Sequence, residues 1–126
     1  MALFPCNIGS SGGTAETVLW TNPSPTAAFA QQSISLPSLS SYTHLKFYLR
    51  ESTSDNTSWY IICKKTDLTS KGIPLGQAAD SSSKTFYRGT QALSGTSLTI
   101  RTCFQVNATG SNNSLVIPTK ISGLTL

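Results

Sequence analysis

The sequence predicts an all-β domain, a single antiparallel β-sandwich of jelly-roll type with about seven to eight strands. Three observations predict it. Serine and threonine crowd nearly every segment, and charged residues make up only 11% of the 126. Hydroxyl side chains compete with a helical backbone for hydrogen bonds but sit well in turns and on open sheet faces. Apolar residues recur at every second position in several runs, and turn signals interrupt those runs at short intervals. At 13.4 kDa the chain suits one hydrophobic core.

Residues 1 to 15 read as an arm, with Leu3, Phe4 and Pro5 an apolar docking hook and Gly9 to Gly13 its joint. The domain proper is expected over 16 to 126. Thr17 to Trp20 forms a first short strand, stopped by the corner Asn22-Pro23-Ser24-Pro25, whose prolines cannot continue a ladder. That corner reads as structural, so Trp20→Ala is expected to unfold the domain. "QSISL" alternates Ile34 and Leu36 against Ser33 and Ser35. In "HLKFYLR", Leu45, Phe47 and Leu49 face one way while Lys46, Tyr48 and Arg50 face the other.

"WYIICKK" carries apolar residues on both faces and predicts a central strand. Residues 66 to 83, with Gly72, Pro74 and Gly76, predict a long surface connection, and no helix is expected anywhere. "KTFYRGT" places Phe86 and Arg88 on one face and Tyr87 on the other. "SLTIRTCFQV" predicts ten residues of unbroken strand with Leu98, Ile100, Thr102, Phe104 and Val106 inward and Arg101 and Cys103 outward. In the closing "SLVIPTKISGL", Pro118 marks a break or an edge, because proline donates no ladder hydrogen bond.

Chemistry is sparse. The net charge of +4 is spread over local groups such as Lys64, Lys65 and Lys71, without the dense basic stripe of a nucleic-acid binder. No segment is apolar for long enough to insert into a membrane, and no signal peptide is recognisable. Cys6, Cys63 and Cys103 are an odd, widely spaced set and read as free thiols of a chain made in a reducing cytoplasm. His44 opens a regular strand, and Glu16, Glu51, Asp55, Asp67 and Asp80 form no recognisable acid–base pair, so neither an enzyme nor a metal or other cofactor is expected. The residues that could meet a partner are Tyr48, Tyr60 and Tyr87 on outward faces, near Arg50 and Arg88, as a ligand or subunit surface.

The segment "ETVLWTNPSPTAAFAQQSISLPSLSSYTHLKFYLR" resembles the opening of a β-rich domain found in tail-fibre and other virion proteins of tailed bacteriophages. The ending "SLVIPTKISGL" resembles that domain's closing strand, so residues 16 to 50 and 114 to 124 bracket nearly the whole chain. The resemblance implies a homotrimeric virion protein displayed on the particle, bound to other tail or capsid proteins and to a host cell-surface glycan or protein. It carries over no catalytic or binding residue set. The short arm in place of a fibre stalk raises a second expectation, a capsid-decoration protein anchored through "MALFPCNIG". A free carbohydrate-binding module that uses Trp59 or the outward tyrosines is a third.

Overall fold

A computed structural model describes residues 15 to 126; the expected hook Leu3, Phe4 and Pro5 lies outside them. The described chain forms nine strands and one short helix. They are β1 (Thr17–Thr21), β2 (Gln32–Ser35), β3 (His44–Ser52), β4 (Ser58–Lys64), α1 (Lys65–Ser70), β5 (Pro74–Ala79), β6 (Thr85–Gly89), β7 (Ser97–Ile100), β8 (Phe104–Gln105) and β9 (Leu115–Leu124). The protein is an all-β sandwich with antiparallel pairing throughout.

One layer is the sheet β1-β9-β3-β4. The other joins β5-β6-β8 to the pair β2-β7 through a single bridge between Thr90 and Ile100. Its spatial order is therefore β2, then β7 with β8, then β6, then β5. The first strand pairs with the last, and β2–β7 nests inside that pairing, as in a jelly roll. Period-two alternation fills the space between layers: Leu45, Phe47, Leu49 and Ile121 from one sheet meet Leu75, Phe86, Leu98 and Ile100 from the other, all 4% exposed or less. At about 1.5–3 kcal/mol per side chain, this burial is the main force holding the layers together.

Five expectations need correction. Residues 66 to 83 are not one surface connection: α1 and β5 lie within them. The single turn of α1 is held by Leu68, which is fully buried and whose carbonyl accepts from the Leu93 amide at 2.9 Å. β5 is concealed by Pro74, Gly76, Ala78 and Ala79, poor strand formers tolerated because β5 is an edge strand with a bulge at its start. The strand β4 is also an edge, not a central strand, and its outer face, with Tyr60 and Ile62, is exposed.

"SLTIRTCFQV" is broken into β7 and β8. The Asn113 side-chain oxygen accepts from the Cys103 amide at 3.0 Å, the chain bulges, and Cys103 turns inward to full burial. Pro118 stands in an interior strand. It is accommodated because the β3–β9 register shifts beside it and β1 has already ended, while Asn22 Nδ2 donates to the Pro118 carbonyl at 2.8 Å. Finally, Arg88 is not on the surface: it shares the inward phase of Phe86 and is fully buried.

The buried Arg88 guanidinium uses all five of its N–H donors on main-chain carbonyls. Nε donates to Val116 at 2.7 Å, Nη1 to Phe29 at 3.0 Å and Arg101 at 2.8 Å, and Nη2 to Leu115 at 3.0 Å and Asn113 at 3.3 Å. Burial lowers its pKa to about 10, which still leaves it cationic at neutral pH. Val116 has φ of +50°, a conformation that a β-branched residue rarely adopts. Its carbonyl is among those that Arg88 holds, so the clamp offsets local strain.

Among the described residues Cys63, half-buried, and Cys103, buried, are free thiols, and burial pushes the pKa of each up to about 11. Two units above the ordinary thiol leave about a hundredth of the thiolate at pH 8. Iodoacetamide should therefore modify Cys103 in the native protein at least about a hundredfold more slowly than in denaturant, as read by peptide mass mapping.

Candidate functional site

The expected surface residues separate onto three places. Tyr48 on β3 stands directly opposite Tyr60 on β4, on the outer face of the first sheet, with ring centres 6.1 Å apart. Alternation puts them there, because Phe47 and Leu49 between and beside them face the core. Both rings are already occupied. Lys46 Nζ lies 4.1 Å from the Tyr60 ring centre and 4.8 Å from that of Tyr48, and Lys120 Nζ lies 4.2 Å from Tyr48.

Glu16 completes this network, accepting hydrogen bonds from Lys46 Nζ at 3.1 Å and from the Tyr48 hydroxyl. Burial raises the Glu16 pKa, but the hydrogen bonds from Tyr48 and Lys46 and the Lys46 charge more than offset it, for a net lowering. Burial and the bond to that carboxylate together push the Tyr48 phenol up. With a lowered folded-state pKa, the Glu16 contribution to stability is present above the ordinary carboxylate pKa and fades as pH falls through the folded one. This face therefore ties the start of β1 to β3 and β9.

Beneath it Ser122 is fully buried, and its hydroxyl has no hydrogen-bond partner among the described residues. A buried hydroxyl without a partner costs about 1–3 kcal/mol. Ser122→Ala is therefore expected to stabilise the protein by about 1 kcal/mol, seen as a raised urea midpoint at unchanged slope.

Arg50 turns away from the tyrosines. Its Nε donates to the Ser52 carbonyl at 2.8 Å and its Nη2 to Thr53 at 3.4 Å, which pins the β3–β4 hairpin loop. Arg88, as described, belongs to the core.

Tyr87 lies on the opposite side of the sandwich, 44% exposed on β6. It pairs across the ladder with Phe104 on β8, with ring centres 6.5 Å apart and planes inclined at 45°. The Arg101 guanidinium lies over Phe104, its Cζ 5.5 Å from the ring centre. These three border an open cleft of about 500 Å³, completed by Ile73, Pro74 and Gln91. Gly72 lets its far wall close: a Cβ there would fall 1.9 Å from the Thr90 carbonyl oxygen, so any side chain would push the two segments apart. Ile73 and Thr90 seal that approach, the Thr90 amide donating to the Ile73 carbonyl at 2.9 Å and the Ile73 amide to Thr90 Oγ1 at 3.2 Å.

Alternation in the sequence places Arg101 outward, but nothing along the chain signals that it meets Tyr87 and Phe104. The break after Ile100 creates that meeting: it rotates Phe104 out of its expected inward phase to join Tyr87. Among the described residues no cluster of three His, Cys, Asp or Glu side chains could hold a metal ion. Chemically, the cleft offers two aromatic surfaces, a guanidinium and an amide, which suits recognition of a small polar ligand with an apolar face.

Comparison with protein-family models, with curated proteins and with solved structures gives no match for the chain. Fold and cleft together define the class that stands: an all-β sandwich with a ligand-sized aromatic cleft on one outer face.

Proposed function

We propose that the chain is a bacteriophage virion protein displayed on the particle surface, an adhesion domain of tail-fibre type that contacts the host cell through the Tyr87–Arg101–Phe104 cleft. The observation that carries this reading is the cleft itself, an open site of about 500 Å³ within the roughly 300–1,000 Å³ range of small-ligand pockets. Support also comes from where the resembling segments fall. Residues 16 to 50 and 114 to 124 contain β1, β2, most of β3 and β9; β1, β9 and β3 are adjacent in one sheet, while β2 lies in the other layer.

In this reading the domain assembles as a homotrimer made in the bacterial cytoplasm. A row running from Val18 through Ser122 and Lys46 to Ile62 crosses the outer face of the first sheet, with Val18 and Ile62 exposed at its ends. These apolar ends are suited to subunit or virion contacts, leaving the opposite face for the receptor.

The test is twofold. Antibody against the chain should decorate the tail of intact particles in electron micrographs, and labelled protein should bind the cells those particles infect and block their adsorption. Label on the head instead of the tail would overturn the adhesion assignment in favour of capsid decoration. Absence of cell binding at saturating protein would overturn it outright.

A further inference from the structure

We infer that the cleft takes an acidic saccharide, a pyranose carrying a carboxylate or phosphate, with Arg101 as the residue that selects the charge. The inference rests on the adhesion reading of this cleft and names its ligand class.

Among the described residues Arg101 is the only charged side chain lining the cleft, and no acid lines it. The three arginines of the chain are used differently. Arg88 consumes its donors on five carbonyls and Arg50 bonds to two, whereas the Arg101 side chain makes no hydrogen bond or ion pair among the described residues. Its guanidinium lies over the Phe104 ring instead, Cζ 5.5 Å from the ring centre. With none of its N–H groups taken by an acceptor among the described residues, the guanidinium keeps them for a carboxylate or phosphate, which it can grip with two parallel bonds.

Tyr87 and Phe104 supply the second half of the recognition. Inclined at 45° with centres 6.5 Å apart, they form an apolar corner that can receive the C–H face of a pyranose. The Gln91 amide at the rim is exposed and can meet ring hydroxyls. A planar anion alone would use the arginine and leave the aromatic corner empty. A neutral sugar would use the corner and leave the guanidinium unpaired. An acidic sugar satisfies both, and the net charge of +4 favours its approach.

The side chain of Arg101 is exposed, and its structural roles are played by its main chain, which accepts from Arg88 and donates to Gly89 at 2.9 Å. Arg101→Gln should therefore fold normally, as its amide spectrum would report. The experiment is an NMR titration of labelled protein with methyl glucuronide, glucose 6-phosphate, methyl glucoside and acetate. Both acidic sugars should shift the amides of Tyr87, Gly89, Gln91 and Arg101 and bind about tenfold or more tightly than the glucoside or acetate. Arg101→Gln should bring them down to the glucoside level, with Arg101→Lys in between.

Equal binding of the glucoside would overturn the role of charge, and equal binding of acetate would reduce the cleft to a simple anion site. Unchanged affinity in Arg101→Gln, or shifts confined to the Tyr48–Tyr60 face, would also refute the inference. Cell binding separates the two proposals. Protein that binds acidic sugars but no cells keeps this inference and sinks adhesion, whereas cell binding untouched by Arg101→Gln does the reverse.

Discussion

Arg88→Lys is expected to destabilise the protein by about 3–5 kcal/mol, and Arg88→Met by more, enough to prevent recovery of folded protein at 37 °C. Lysine has three donors, so at least two of the five carbonyls now bonded to Arg88 would lose their partner inside the core. Each bare buried acceptor costs about 1–3 kcal/mol, against a total stability of roughly 5–15 kcal/mol for a domain of this kind. Replacing a buried ion pair by apolar residues is often harmless because both polar partners leave together. Here the partners are backbone carbonyls that no substitution removes, so methionine fills the volume but withdraws all five bonds, and the Asn113 carbonyl keeps a second partner in the Phe29 amide at 2.9 Å. Urea denaturation of Arg88→Lys at 10 °C measures the loss. A midpoint within experimental error of the parent would show that water replaces the guanidinium without cost.

Asn22→Ala is expected to cost about 2–4 kcal/mol, less than the loss of Arg88. Asn22 is 6% exposed and its side chain makes two bonds: Oδ1 accepts from the Ser24 amide at 2.8 Å, and Nδ2 donates to the Pro118 carbonyl at 2.8 Å. Its own amide extends the β1–β9 ladder by donating to Thr119 at 2.9 Å. Alanine keeps that last bond and abandons the other two, one of which satisfies a proline inside a sheet. Asn22→Asp separates the roles. It keeps the acceptor for Ser24 but turns a buried carboxylate oxygen toward the Pro118 carbonyl, so at neutral pH it should be no more stable than alanine. Equal stability of all three by thermal melting would show the corner to be held by its prolines alone.

These residues show where sequence reading succeeds and fails. Period-two alternation locates β2, β3 and β6 because large apolar side chains mark their inner phase, as with Ile34, with Leu45, Phe47 and Leu49, and with Phe86. The same phase put Arg88 beside Phe86, but residue type argued against burial, and the carbonyls that receive it come from segments 13 to 59 positions away. Hydrogen-bond acceptors on the backbone carry no sequence signature. β5 is masked because its pairing with β6 substitutes for intrinsic propensity. In the corner, Trp20 was the conspicuous residue; it is only half-buried, packed edge-on to Phe29 at 6.0 Å, while the quieter Asn22 holds the junction. The cleft was illegible because it draws on three separate stretches, and only the break between β7 and β8 brings Phe104 to Tyr87.

The pairing of β1 with β9 has a consequence for how the chain can be wired. Thr17 lies opposite Gly123, so the two ends of the sandwich emerge side by side from one edge region of the same sheet. The order in which strands are joined is then separable from the order in which they pack. A short linker between Leu126 and Ala15, with new ends opened in the exposed Asn107–Thr109 turn, preserves every strand pairing of the sandwich. By the same geometry, the domain can be inserted into a surface loop of another protein and hang from it by both ends, with the cleft free.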